Sequence, residues 1–331
     1  MVTRAKASAR PRHRGLPAVA RPLPRKPGKP LDAAQMMQRW ARHWLRSCRD
    51  MPKHALRLIN DAQAEPEKQV HAFRRLMKAW RSLLKLAPDS LAEEARMMRA
   101  EIRALRRDFG AARDAVVLAR TLEGALGKRL FERLPKPEGE AGSPPAPSDL
   151  RQRLDAARIK LGRLSVEMAR WSVAGEGGAF LLKGFERSCR KTRRRLHRDP
   201  LRMSLKRLHA SRTAIVDLGY QLQFFRPAEA AEFALRGKLA ERLRSQLGAV
   251  VDLDLAQRHL ITLMPAGHRA KAEYKRAGHK KAEHRIARRI VKQRGKAARL
   301  ARRLLDERPK TLRIRLGEMM ALREPRRVKL S

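Results

Sequence analysis

Aromatic side chains make up only 4% of the 331 residues: four Trp, two Tyr and eight Phe. That scarcity argues against the stacking platforms on which single-stranded nucleic-acid binders hold bases. The four Trp, at 40, 44, 80 and 171, fall where a helical core would use them. Cysteine is scarcer still. Cys48 and Cys189 stand far apart without metal-ligand spacing, which points to reduced thiols in a cytosolic protein rather than a disulfide framework or a zinc site. No run of eighteen apolar residues occurs, so no transmembrane helix is expected. The first thirty residues lack an apolar h-region and do not read as a secretory signal. A soluble, cytoplasmic protein is the expectation. Strand-like alternation and Asn-Gly or Asp-Gly hairpin signals are missing. So are G-x-x-x-x-G-K-[ST], G-x-S-x-G, H-E-x-x-H and paired-cysteine motifs, so no enzyme activity, metal or cofactor is expected.

Acidic residues are also few, 33 against 79 Lys and Arg, which leaves +46 and a pI near 11.7. Solubility needs far less charge. The partners this excess suits are nucleic acid, an anionic membrane surface or a free polyanion such as polyphosphate. Residues 1–30 carry +9 and residues 266–331 carry +17 of that total, leaving +20 on the middle segment. The excess is therefore built into the folded part as well as the ends.

From Leu31 onward apolar residues recur at helical spacing, so the fold class is all-α. Breaks are expected at Met51-Pro52, Glu65-Pro66, Ala87-Pro88, Gly175 to Gly178, Asp199-Pro200, Arg226-Pro227 and Met264-Pro265, separating helices of about 10 to 25 residues. Residues 1–30 read as a disordered basic Pro-rich tail. The stretch 135–147, PKPEGEAGSPPAP, reads as a linker between a first bundle at about 31–134 and a second at about 148–265. RRDFGAARDAVVLA from Arg106 resembles RSQLGAVVDLDLA from Arg244, matching Gly110 to Gly248 and Asp114 to Asp252 at a common offset of 138. A duplicated helical bundle follows. Residues 266–331 are expected to be a basic helical C-terminal extension, in which the stretch from about Lys271 to Arg308 is either a long helix packing one face on the bundle or a basic arm.

Cations in register mark the candidate site. Over Val70 to Ala87, at about 100° per residue, His71, Arg74, Lys78, Arg81 and Lys85 share a sector of roughly 80°. Phe73, Leu76, Met77, Trp80, Leu83 and Leu84 cover the opposite side. No acidic residue interrupts the cationic face, although like charges at i,i+4 destabilise a helix. The counter-charge is expected from outside. On the next helix Arg96, Arg99, Arg103, Arg106 and Arg107 repeat the arrangement. In the second half a helix is expected near Leu201, with Asp199 as N-cap, Pro200 at N1, and Arg202, Lys206 and His209 in one sector.

These segments resemble the CHAD domain, the conserved histidine α-helical domain. Its signature helix V-H-x-x-R-x-x-x-R-R-L-R is matched by Val70, His71, Arg74, Lys78 and Arg81, with Ala79 and Trp80 departing. Its L-G-x-x-R-D is matched by Phe109 to Asp114. The second-half pattern H-x-x-R-x-x-x-K-R-L-R-Y fits Arg202, Lys206, Arg207 and Leu208, with Asp199 at the histidine position and His209 at the final arginine. The resemblance implies two four-helix bundles related by pseudo-twofold symmetry, with a basic channel between them that binds inorganic polyphosphate. The polyphosphate contacts expected are His71, Arg74, Lys78, Arg81, Lys85, Arg99, Arg103, Arg106, Arg202, Lys206 and His209. The rivals are nonspecific RNA or DNA binding, since the phosphate term is shared, and a structural role at polyphosphate or storage granules.

Overall fold

The computed structural model describes residues 31–61, 63–109, 111–132, 147–197, 200–226, 231–262 and 279–325. The expected tail, most of the linker, Gly110 and Asp199 lie outside these residues. Helix α1 (Ala33–Ile59) starts from a capping box: Asp32 accepts from the Gln35 backbone N–H at 2.7 Å, and the Gln35 side chain accepts from the Asp32 N–H. Helix α2 (Pro66–Leu83) uses Pro66 in its first turn, where a missing N–H does no harm. It ends in a 3₁₀ turn, Leu84–Leu86. The chain continues through α3 (Ala92–Asp108), α4 (Ala111–Leu126), the short α5 (Lys128–Phe131), α6 (Pro147–Ala169) and α7 (Ala179–Leu196). A 3₁₀ turn, Pro200–Arg202, precedes α8 (Leu205–Phe224). Helices α9 (Ala231–Thr262), α10 (His279–Leu304) and α11 (Pro309–Leu322) complete it. Among the described residues there is no strand, and no helix is long and apolar enough to cross a membrane.

From Asp32 onward the chain is one compact unit. Helix α1 packs on α2 and α6, and α3 packs on both of these, so the four close a ring. Helices α7, α8, α9 and α10 pack in series, and α2 lies against α8 to join the two groups. The packing does not divide at residues 135–147. Helix α4, before that stretch, packs on α9 and α10, whereas α6, after it, packs on α1 and α3.

Trp40, Trp44 and Trp80 are fully buried and Trp171 nearly so. The Trp44 indole N–H donates to the Leu83 carbonyl at 2.9 Å. The Trp40 N–H donates to the Met320 and Arg323 carbonyls at 3.1 and 3.0 Å, beside the rings of Phe224 and Phe225. Both cysteines are buried free thiols.

Four expectations change. Helix α1 runs straight through Met51-Pro52, because Cys48, Met51, Pro52, Ala55 and Ile59 form one buried seam whose packing outweighs the lost hydrogen bond. Helices α1, α9 and α10, of 27, 32 and 26 residues, exceed the expected lengths. The break at Phe109 has no counterpart at its repeat, since Gly248 sits inside α9. The helix placed near Leu201 begins at Leu205 with Ser204 as N-cap, and Arg202 belongs to the preceding 3₁₀ turn. Arg294 of α10 holds that turn by donating to the Leu201 and Met203 carbonyls at 3.1 and 2.9 Å. Within the C-terminal stretch, α10 buries Ala282, Ile286, Ile290, Ala297, Ala301 and Leu304.

Candidate functional site

The apolar side of α2 is buried through Phe73, Leu76, Met77, Trp80 and Leu83. That rotation fixes the rest of the helix: His71 is exposed, while Arg74, Lys78 and Arg81, and Lys85 in the following turn, are half-buried beneath α3 and α8. The stripe lines a seam between three helices. Arg74 donates through Nη1 to the carbonyls of Arg106 and Phe109, at 3.1 and 2.7 Å, and so caps the C-terminal end of α3. From α3, Arg99 donates to the Leu84 carbonyl at 3.2 Å, Arg103 is exposed and Arg106 is half-buried.

The carboxylate of Asp217 enters this seam. Asp217 of α8 pairs with Lys85 and accepts from the Ser82 hydroxyl at 3.1 Å. Gln221, one turn on, donates to the Ser82 carbonyl at 3.0 Å. Burial pushes the Lys85 ammonium below its usual range; Asp217 opposes this, and Lys191 and Arg81 add to it. Burial likewise lowers Arg81, with Asp217 opposing and Arg106 and Arg103 reinforcing. Arg99 is lowered by burial and then by Arg81. Arg106 is lowered by burial, then by Arg74, Arg103, Arg212 and Arg107. The Nε atoms of Arg81 and Arg106 are buried with no hydrogen-bond partner among the described residues. The seam is a tract of mutually repelling cations around one internal anion.

Arg74, Arg81, Lys85, Arg99, Arg103 and Arg106 are therefore brought together. Arg202 stands apart on its 3₁₀ turn, and Lys206 and His209 are exposed on the first turns of α8. The second-half register shifts accordingly. Applying the offset of 138 to α2 pairs His71 with His209 and Arg74 with Arg212, so the repeated H-x-x-R is His209-Ala-Ser-Arg212. Arg212, which the first alignment missed, packs its guanidinium on Gly248, where an added Cβ would lie 3.2 Å from Nη2. It also acts electrostatically on Arg106 across the seam. The same offset pairs Lys78, Arg81 and Lys85 with Val216, Gly219 and Gln223, so the cationic stripe of α2 has no equivalent along α8 beyond Arg212. The side chains of Arg113 and Asp114, on α4, lie outside the described residues.

A family model described as the CHAD domain matches residues 42–261, more than half of the chain. The chain belongs to the CHAD-domain family. The match spans α2, α3 and α8, the helices that build the tract. A comparison with curated proteins finds no match for this CHAD protein.

Proposed function

We propose that this CHAD protein binds inorganic polyphosphate along the α2–α3 tract, as a binding protein rather than an enzyme, at cytoplasmic polyphosphate or storage granules. The observation that carries the reading is the clustering of Arg81, Lys85, Arg99, Arg103 and Arg106, with Arg74 and Arg212 beside Arg106, about the carboxylate of Asp217. Partly buried guanidinium groups that repel one another hold a standing electrostatic cost, which a chain of phosphates relieves. Arginine gives two parallel N–H donors per phosphate, and the local field is stronger than at an exposed surface. The exposed His71 of α2, with Lys206 and His209 on the first turns of α8, extends the track. Half-buried side chains are reached more readily by a thin flexible chain than by a duplex. The low aromatic content likewise gives bases nothing to stack on.

The test is a competition at about 0.15 M salt between long polyphosphate and duplex or single-stranded nucleic acid, at equal phosphate concentration. Polyphosphate should win. Arg103→Glu with Arg106→Glu should weaken it at least tenfold, about 1.4 kcal/mol, with helix content unchanged by circular dichroism. Removing residues 1–30, a larger charge loss, should weaken it less. Stoichiometric displacement by duplex DNA would transfer the reading to nucleic acid.

A further inference from the structure

Helix α10 lies outside the matched span of 42–261. Its inner face is buried against α9 and α4. On its outer face Lys281, Arg285, Arg288, Lys292 and Arg299 are all exposed. At about 100° and 1.5 Å per residue, these five share a sector of about 60° and form a straight row about 27 Å long. The only acidic residue of the helix, Glu283, falls on the opposite side. Arg303, next along, borders a pocket of about 480 Å³ that also holds Asp306 and Glu307, and there the row ends.

Several exposed cations elsewhere in this protein are balanced on their own helices. Arg96 pairs with Glu93, Arg158 with Asp155, Arg244 with Glu241 and Arg258 with Asp254. The α10 row has no such partner among the described residues; Arg285 donates to the Leu126 carbonyl at 3.0 Å and meets no carboxylate. Like charges three and four residues apart destabilise a helix by a few tenths of a kcal/mol per pair. An external anion reverses that sign.

We propose that the outer face of α10 is a second polyphosphate track, so that one protein holds two chains or bridges two segments of a long one. This rests on the polyphosphate reading above. A straight single-file row suits one flexible chain. A duplex winds its phosphates around its circumference and meets such a row only where a backbone crosses it. A single nucleic-acid strand finds no Trp, Tyr or Phe on α10 to stack against. Two tracks per molecule convert a binding protein into a cross-linker, because the second engagement on a long chain is intramolecular.

Calorimetry with short polyphosphate of uniform length, and light scattering with long polyphosphate, test this on the full chain. The wild type should take two short chains per molecule and form large assemblies with long polymer. Arg288→Glu with Lys292→Glu and Arg299→Glu should leave one bound chain, keep the remaining affinity within about threefold, and abolish the assemblies. An equal charge change at the exposed Arg129, Arg163 and Arg170, each to Glu, should leave two chains and the assemblies intact. A wild type that binds one chain, retained by the α10 variant, overturns the second track and leaves the first standing. Assemblies abolished equally by the control overturn it too. If the α10 variant loses all binding while Arg103→Glu with Arg106→Glu behaves as wild type, the seam reading fails and the α10 track survives.

Discussion

Asp217→Asn separates the stability of the seam from its affinity, because the two should move in opposite directions. The carboxylate side chain keeps 10% of its exposure and the Lys85 side chain 21%. Breaking a fully buried ion pair costs about 3–5 kcal/mol, while exposed pairs are worth about 0.2–1 kcal/mol. The Lys85–Asp217 pair lies between these limits, and asparagine still accepts from Ser82, so a loss of about 2 kcal/mol is expected. That corresponds to a fall in Tm of about 3 °C for a unit of this size. Binding should improve. Asp217 competes with phosphate for Lys85 and Arg81, and its neutralisation exposes at least one more phosphate site. Fluorescence anisotropy with labelled polyphosphate, repeated across salt concentrations, should show affinity up at least threefold. The log-log salt slope should steepen by about 0.7 to 0.9, the increment for one further neutralised phosphate. A folded Asp217→Asn protein that binds more weakly, or with an unchanged slope, refutes the competition.

Burial holds the Lys85 ammonium below its ordinary range, so the unfolded chain binds more protons there and this group makes stability rise with pH below about 10.4, while polyphosphate affinity falls. Burial pushes the Tyr220 phenol the other way, so the measurement is the difference between wild type and Lys85→Met in chemical denaturation from pH 8 to 10; no pH dependence in that difference contradicts the assignment. Burial raises both thiols, Cys189 to about 12, and an aromatic disulfide reagent at pH 8 should find no reactive thiol in the native protein and two in denaturant. Gly184→Ala sets a Cβ 2.8 Å from the Leu86 Cα, where α7 crosses the turn after α2, and should cost about 1–3 kcal/mol in urea melts. Gly162→Ala, with nothing within 4 Å, should be neutral or stabilising.

The α2 stripe was legible in the sequence because a helix with one wholly apolar side has only one way to bury it, and that rotation carries Arg74, Lys78, Arg81 and Lys85 with it. What the stripe faces was not legible. Asp217 sits in an apolar stretch of α8 with no local signal, and only the crossing of α8 on α2 brings it to Lys85. Pro52 misled because helix-breaking is a local preference, which a buried seam on either side outweighs. The second-half register failed for a related reason: Asp199-Pro200 is a strong helix-start signal in the sequence, yet the turn that begins at Pro200 is only 3₁₀. The offset of 138 already present in Gly110 and Gly248 would have led to His209 and Arg212. Helical character in α10 was readable from composition, but its depth of packing was not, since small alanines at 282, 297 and 301 carry much of the contact.

The indole of Trp40 is held by carbonyls at residues 320 and 323, almost the entire chain away. During synthesis α1 leaves the ribosome some 280 residues before its closing partner. Until then the nascent chain must keep an uncovered tryptophan in water, and α3 likewise waits for α6. Closure of this core is thus postponed until residues 320 and 323 have emerged, with long-range closure as the slow step. Throughout that interval a strongly cationic, incompletely packed chain is exposed to every polyanion in the cell, the ribosome's own RNA included.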